Sequence, residues 1–130
     1  MAPDLIGHGL GPSPGATCTV ATLTSALLPL FAAPALPWGL LIGHSLGGVI
    51  ALHLPPVPRI VLVDPPLELS ANQTRGVVEG TLDDFKNLKS VEEFMKRNPR
   101  WTERDAVIKV YGESVCDPAA VEALFRVRHL

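Results

Sequence analysis

Apolar positions along this chain change their rhythm near residue 67: before it they form short unbroken runs cut by glycine and proline, and beyond it they recur at helical spacing among charges. In the first regime, Ala2 to Pro14 reads as a turn-rich loop. Thr17 to Leu28 places Val20, Leu23 and Leu27 on one helical face, with Thr17 as N-cap and Pro29 as a stop or kink. A proline-rich connector runs to Pro37. Trp38-Gly39-Leu40-Leu41-Ile42 then reads as a strand, Gly43 to Gly48 as a sharp turn, and Val49 to Leu54 as a buried helix stopped by Pro55 and Pro56. Ile60-Val61-Leu62-Val63, largely β-branched and without alternation, is the pattern of a parallel strand covered on both faces. It ends at Asp64-Pro65-Pro66.

In the second regime Leu82, Phe85 and Leu88 share a face, as do Val91, Phe94 and Met95. Thr81 with Asp84, Ser90 with Glu93 and Thr102 with Asp105 have the spacing of a hydroxyl cap and a third-position acid, and Asp117-Pro118 opens a further helix. These signals predict an all-helical stretch from about Thr81 onward. No internal repeat is visible. The predicted fold class is α/β, a few parallel strands with flanking helices followed by a helical segment.

Composition narrows this picture. The 130 residues suffice for one compact core, and 47% hydrophobic residues argue against global disorder. A net charge of −2 supplies neither a basic field for nucleic acid nor a polybasic patch for anionic lipid. Between Asp4 and Arg59 no charged residue occurs, so the first part reads as buried interior and the second as surface-bearing helices. A membrane span is the rival explanation, but Pro29, Pro34, Pro37, Pro55 and Pro56 interrupt the apolar run, and the small-xxx-small spacing of Gly43 and Gly47 is a minor reading beside Ser45 and His44. The N-terminus lacks the basic residues of a secretory signal, which makes a cytoplasmic home the default. Cys18 and Cys116 have no metal-like spacing and read as small hydrophobes, with one disulfide conceivable.

The chemistry-bearing segment is Gly43-His44-Ser45-Leu46-Gly47. A serine hydroxyl is a poor nucleophile unless a base takes its proton, and it must stand where a carbonyl carbon can approach. The apex of a tight strand-to-helix turn achieves that exposure, and such a strained turn calls for small neighbours, here Gly43 and Gly47. Leu46 would then present its backbone N–H, at the start of the following helix, to a developing oxyanion. Gly-x-Ser-x-Gly recurs by chance in many proteins; an apolar strand before it, an apolar helix after it and a second parallel-strand run beyond supply the context it needs. Gly7, Gly9 and Gly11 resemble a phosphate loop only superficially, since no Lys-Ser/Thr pair follows and no strand precedes.

With these residues in view, the sequence resembles the α/β-hydrolase fold family, in the branch with a helical cap. Asp4-Leu5-Ile6-Gly7-His8-Gly9 resembles that family's Asp-x-x-Gly-His-Gly loop near the site, with Ser13 displaced from the usual serine; Leu41 to Gly48 matches its strand-five elbow; Arg59 to Pro66 is similar to its sixth strand and exit; and Asn98 to Thr102 with the following helices looks like cap sequence. The resemblance implies a core portion over residues 1–67 and a helical cap or lid over 68–130. It implies a hydrolase of the esterase or lipase type, or one cleaving carbon–carbon bonds, with Ser45 as nucleophile, Leu46 as oxyanion donor, Gly43, His44, Gly47 and Gly48 shaping the elbow, and Asp4, His8 and Gly9 in the nearby loop. A serine at the elbow disfavours dehalogenase and epoxide hydrolase readings, which need a carboxylate there. No cofactor and no metal are implied; the implied partner is a small apolar ester-like or acyl substrate.

The family's second oxyanion donor follows its third strand, which would precede Met1, and its acid and histidine follow strands beyond the cap. The triad is therefore expected to be incomplete in this chain, and the alternative to an enzyme is a non-catalytic remnant in which the elbow survives as architecture. Among the histidines, His44 reads as a packing residue beside the serine, and His53 lies eight residues along the helix, about 12 Å away at 1.5 Å per residue. His8 reads as structural and His129 as solvated. A few members of the fold carry the acid after strand six, which gives Asp64 a minority role as acid beside its main reading as a strand-end residue; without a partner histidine it would orient nothing.

Overall fold

In the computed structural model of the protein, residues 1–32, 37–67 and 71–126 are described. The first helix, α1, spans Val20–Leu27 and is capped by Thr19 rather than Thr17. Thr19 accepts from the Thr22 N–H through its hydroxyl, while the Thr19 N–H donates to the Thr22 hydroxyl. That reciprocal box satisfies two groups at once, which no partner offers Thr17. Thr17 instead ends a 3-10 turn, Gly15–Thr17, and donates its hydroxyl to the Pro14 carbonyl. α1 ends just before Pro29, as expected, and Pro29 also opens a short helix α2, Pro29–Ala32, because its fixed φ suits a first turn.

Strand β1 is Leu41–His44, helix α3 is Leu46–His53 and strand β2 is Ile60–Val63. The strands pair in parallel, Leu41 with Ile60 through His44 with Val63. Parallel pairing needs a crossover longer than a hairpin turn, and α3 supplies it. The α/β expectation holds, with a correction at β2: α3 packs on the two strands, yet Ile42, Ile60, Val61 and Val63 remain 39 to 62% exposed. The unalternating apolar run reported a parallel strand but not cover on both faces. The freedom from charge between Asp4 and Arg59 misled in the same way, since Leu10, Leu28, Leu40 and Leu52 also lie exposed. Lack of charge shows only that a segment needs no solvated head group, not that packing surrounds it.

Helix α4 is Ala71–Lys86, beginning ten residues before Thr81. Thr81 thus falls inside a helix whose amides already have carbonyls a turn back, and the cap-like spacing to Asp84 has nothing to cap. Asp84 instead meets Lys89 and Arg97. Because α4 ends at Lys86, Leu88 leaves the face it was expected to share and is exposed. The remaining helix starts follow the sequence signals: α5, Val91–Arg97, and α6, Glu103–Ser114, carry full capping boxes from Ser90 with Glu93 and Thr102 with Asp105. Helix α7 is Pro118–Arg126, and its first turn donates the Ala119 N–H to the Asp117 carboxylate.

The core is built from Cys18, Leu23 and Ile50 of the first half with Ala120, Ala123 and Leu124 of α7, so the last helix closes a core that the first half begins. The N-terminal loop is stitched to the same place. Gly9 N–H donates to Val115 O, Asp117 N–H donates to Gly7 O, and the Ser13 hydroxyl donates to the Asp117 carboxylate. Cys18 and Cys116 are free and buried, and burial, with the Asp117 charge beside it, pushes the Cys116 thiol up to about 11. Phe94 and Ala106 are buried where α5 meets α6, with Trp101 stacked on Phe94 at 6.1 Å between ring centroids. Glu113 is buried on α6; the Lys109 ammonium stands 2.9 Å from its Oε1 and balances the charge, without the alignment of a hydrogen bond. Among the described residues no helix is long and apolar enough to cross a membrane.

Candidate active site

Ser45 is the single residue between β1 and α3, and it turns the chain with φ 49° and ψ −120°. Positive φ is strained for a residue with a side chain and persists only where the surroundings fix it. On one side the Ser45 N–H donates to Val63 O at 2.9 Å, continuing the β1–β2 ladder by one residue. On the other, the Ser45 carbonyl accepts from the N–H groups of Gly48 and Val49 and so starts α3. The side chain is exposed, and no hydrogen bond reaches its hydroxyl among the described residues.

The glycines around the turn divide the work unequally. A Cβ on Gly43 would lie 2.3 Å from Gly47 O and 2.6 Å from Gly47 C, so the strand before the turn passes against the backbone after it. A Cβ on Gly48 would lie 2.8 Å from Pro65 Cβ and 3.2 Å from Gly43 O. Gly47, expected to be small for the same reason, has nothing within 4 Å of where its Cβ would stand. The space requirement thus falls on Gly43 and Gly48, while Gly47 contributes the carbonyl that Gly43 must clear.

Leu46 is the first residue of α3, so its N–H has no carbonyl one turn before it and faces the same end of the helix as Ser45, while its side chain packs on the core. His44 is exposed at the end of β1. With Gly47 it borders an apolar cavity of about 490 Å³ whose walls include Leu27, Phe31, Trp38, Ile42 and Ile50; Ser45 itself is not in the wall. The Trp38 indole N–H is fixed by the Leu30 carbonyl at 2.9 Å. Sequence reasoning took Trp38 for strand and passed over Phe31; the indole's need for a buried acceptor was the available signal.

Asp64 follows β2 directly, exposed, with φ 46°. The register places it beside Ser45, but no hydrogen bond or ion pair reaches its carboxylate among the described residues. His53 ends α3 at the far end from Ser45. Asp4, His8 and Gly9 are brought together with one another: Asp4 Oδ2 accepts the Leu10 N–H at 3.0 Å, a Cβ on Gly9 would fall 2.4 Å from that same oxygen, and His8 Nδ1 lies 3.2 Å from Ile6 O. His8 also forms a backbone bridge with Cys116, so the loop's polar contacts run to the α6–α7 junction and none runs to Ser45. His129 lies outside the described residues. Among the described residues no three His, Cys, Asp or Glu side chains converge as metal ligands would.

Ser45 is thus held at positive φ between a parallel strand and the helix that crosses to the next strand, a sharp strand-to-helix corner on an α/β scaffold. The chain belongs to the alpha/beta hydrolase family, whose family model matches residues 1–130. It is similar to "Lipase LipV" of Mycobacterium tuberculosis (strain ATCC 25618 / H37Rv), at 37% identity over an alignment 86 residues long that covers 62% of this chain and 33% of that protein. The chain therefore spans about a third of the length of the curated relative it matches.

Proposed function

We propose that the protein acts as a serine hydrolase on carboxylic esters or related acyl compounds, with Ser45 Oγ as the nucleophile and the Leu46 N–H as one oxyanion donor. The observation that carries this reading is the Ser45 backbone, which keeps an exposed, unbonded hydroxyl at φ 49°. Strain of about 1–3 kcal/mol at such a residue clusters at reactive sites. In the reaction Oγ bonds to the acyl carbon, the carbonyl electron pair moves onto its oxygen, and that charge meets the Leu46 N–H and the positive end of α3. Loss of the alcohol leaves an acyl-enzyme that water cleaves. The name of the lipase relative supports an ester substrate, and the apolar cavity beside His44 supports an apolar one. The helices beyond residue 67 are read as the cap that shapes specificity. This chemistry calls for no cofactor.

The seryl proton must go to a base, and no side chain hydrogen-bonds the Ser45 hydroxyl among the described residues. Acylation by this chain alone is accordingly expected to be slow. The same observation favours a second reading, in which the elbow is retained as architecture without turnover. Labelling with a fluorophosphonate probe separates them: slow labelling of the wild type that is abolished in Ser45→Ala supports the nucleophile, and equal signals from both proteins overturn it.

A further inference from the structure

The bend at Ser45 has a twin. Strand β2 ends as β1 does, on a non-glycine residue at positive φ, Asp64 at 46° beside Ser45 at 49°. The register that pairs His44 with Val63 sets the two bends side by side. Two contacts join them. Val63, just before Asp64, accepts the Ser45 N–H at 2.9 Å. Pro65, just after it, lies so near Gly48 that a Cβ there would stand 2.8 Å from Pro65 Cβ. A residue before proline is ordinarily pushed to extended backbone. Asp is one of the few L-residues that accept the left-handed region. No partner reaches the Asp64 carboxylate among the described residues, so the contacts at this corner that join it to Ser45 are made by the backbone and by Pro65.

We infer that the β2 exit, Val63-Asp64-Pro65, is a buttress that holds Ser45 in its bend, with Asp64 serving through its tolerance of positive φ rather than through its charge. The existence of the buttress stands on backbone geometry; its consequence for reactivity rests on the reading of Ser45 as nucleophile. The Val63 carbonyl keeps the Ser45 amide from turning away, and the Pro65 ring against Gly48 keeps the first turn of α3 seated. Were Ser45 to relax to negative φ, its Oγ and the Leu46 N–H would swing apart from their present directions. Asp64 and Pro65 are positioning residues.

The test compares the full chain with Gly48→Ala, with Gly48→Ala combined with Pro65→Gly or Pro65→Ala, and with Asp64→Asn and Asp64→Val. Hydrogen exchange at the Ser45 amide and the rate of fluorophosphonate labelling are both read. Gly48→Ala is expected to speed Ser45 exchange roughly tenfold and to slow labelling roughly tenfold. Pro65→Gly removes the atom that the new methyl meets and restores most of both, though Gly43 O at 3.2 Å keeps the rescue partial. Pro65→Ala keeps that Cβ and does not rescue. Asp64→Asn stays within about threefold of wild type and Asp64→Val loses more than about tenfold, because only the first tolerates the left-handed region. The Asp64 pair adds no atom to the α3–β2 contact, so it decides the matter if Gly48→Ala does not fold. Unchanged Ser45 exchange in folded Gly48→Ala, rescue by Pro65→Ala equal to that by Pro65→Gly, or equal losses in Asp64→Asn and Asp64→Val would overturn the inference. If the wild type does not label at all, the nucleophile reading falls, while exchange at Ser45 still decides whether the buttress exists.

Discussion

Gly43 and Gly48 sit where an added Cβ would strike the Gly47 backbone or Pro65, whereas Ser90 and Thr102 sit where a hydroxyl reaches out to close a helix end. The first pair holds the chain together by absence and the second by reach. Around Ser45, shape depends on segments that meet across the fold: β1 against α3, and α3 against the exit of β2. From Ser90 to Ser114, each helix carries its own start signal within four residues. The lesson is about where information sits. The start of a capped helix can be weakened alone, while the turn at Ser45 depends on three elements at once.

That contrast is broken most sharply by a core residue that ties the helix after Ser45 to the helix that follows the capped pair. Leu23 is fully buried in the cluster that joins Ile50 of α3 to Ala120 and Leu124 of α7. Leu23→Ala is expected to cost about 3–5 kcal/mol through lost transfer energy and a cavity. Trp38 lies in the first half and Trp101 in the second. Urea unfolding followed in Trp38→Phe and Trp101→Phe backgrounds should shift both signals equally. A shift in one signal alone would mean two independent cores.

Gly43→Ala comes next, because the new methyl would meet a peptide group at 2.3 Å rather than a flexible side chain. Overpacking of this kind typically costs about 1–3 kcal/mol. Thermal unfolding measures the loss, and hydrogen exchange should show it concentrated in residues 43–48. Gly47→Ala, with nothing within 4 Å of the added atom, should cost clearly less. If the two variants are equally stable, the division of roles between these glycines is wrong.

Smaller effects belong to the helical part. Ser90→Ala and Thr102→Ala each remove a cap hydroxyl that accepts a backbone N–H, and each should lower stability by about 1 kcal/mol, additively since they cap different helices. The paired acids give this region its pH dependence. The Lys89 ammonium holds the Asp84 carboxyl below its ordinary 3.8, and the Thr102 hydroxyl does the same for Asp105. A carboxyl with a lowered folded value binds protons more readily in the unfolded chain, so its contribution is complete above about pH 5 and fades as pH falls through 4 and on toward the folded value. The thermal midpoint should therefore drop between about pH 5 and pH 3, and Asp84→Asn should flatten that drop. An unchanged slope in Asp84→Asn would remove Asp84 from the account.

How much of this was legible follows the same divide. The starts of α5 and α6 could be read from Ser90-x-x-Glu93 and Thr102-x-x-Asp105 because each signal and its target lie within one turn. Thr81-x-x-Asp84 shows the limit, since the same spacing inside α4 caps nothing, and only Lys89 and Arg97 reveal what Asp84 does. At the site, Ser45 and its turn were legible from the glycine-bounded pentapeptide after an apolar run. Pro65 was not, because its contact with Gly48 exists only once β1 and β2 are aligned. The cavity wall of Phe31 and Trp38 was only half legible, since the indole announced its need for an acceptor but not that the Leu30 carbonyl would supply it. Hydrophobicity named β2 correctly and misjudged its surroundings, because an apolar run records what a strand can tolerate on each face and not what arrives there.

The smallest effect tests that last point. Ile42 is 62% and Val61 45% exposed, so each leaves much of its apolar surface in water already. Threonine keeps the β-branched shape that suits a strand and puts a hydroxyl that water can bond in place of a methyl of Val61 and of the ethyl branch of Ile42. Ile42→Thr and Val61→Thr should therefore change folding stability by no more than about 0.5 kcal/mol, the range of ordinary surface substitutions. Exposed apolar strands template association between chains, so the double variant should also scatter less light at high concentration than the wild type. Loss of several kcal/mol in either variant would show that the open face of the sheet is packed in solution, and the contrast between a sheet held from one side and helices held at their ends would then have to be redrawn.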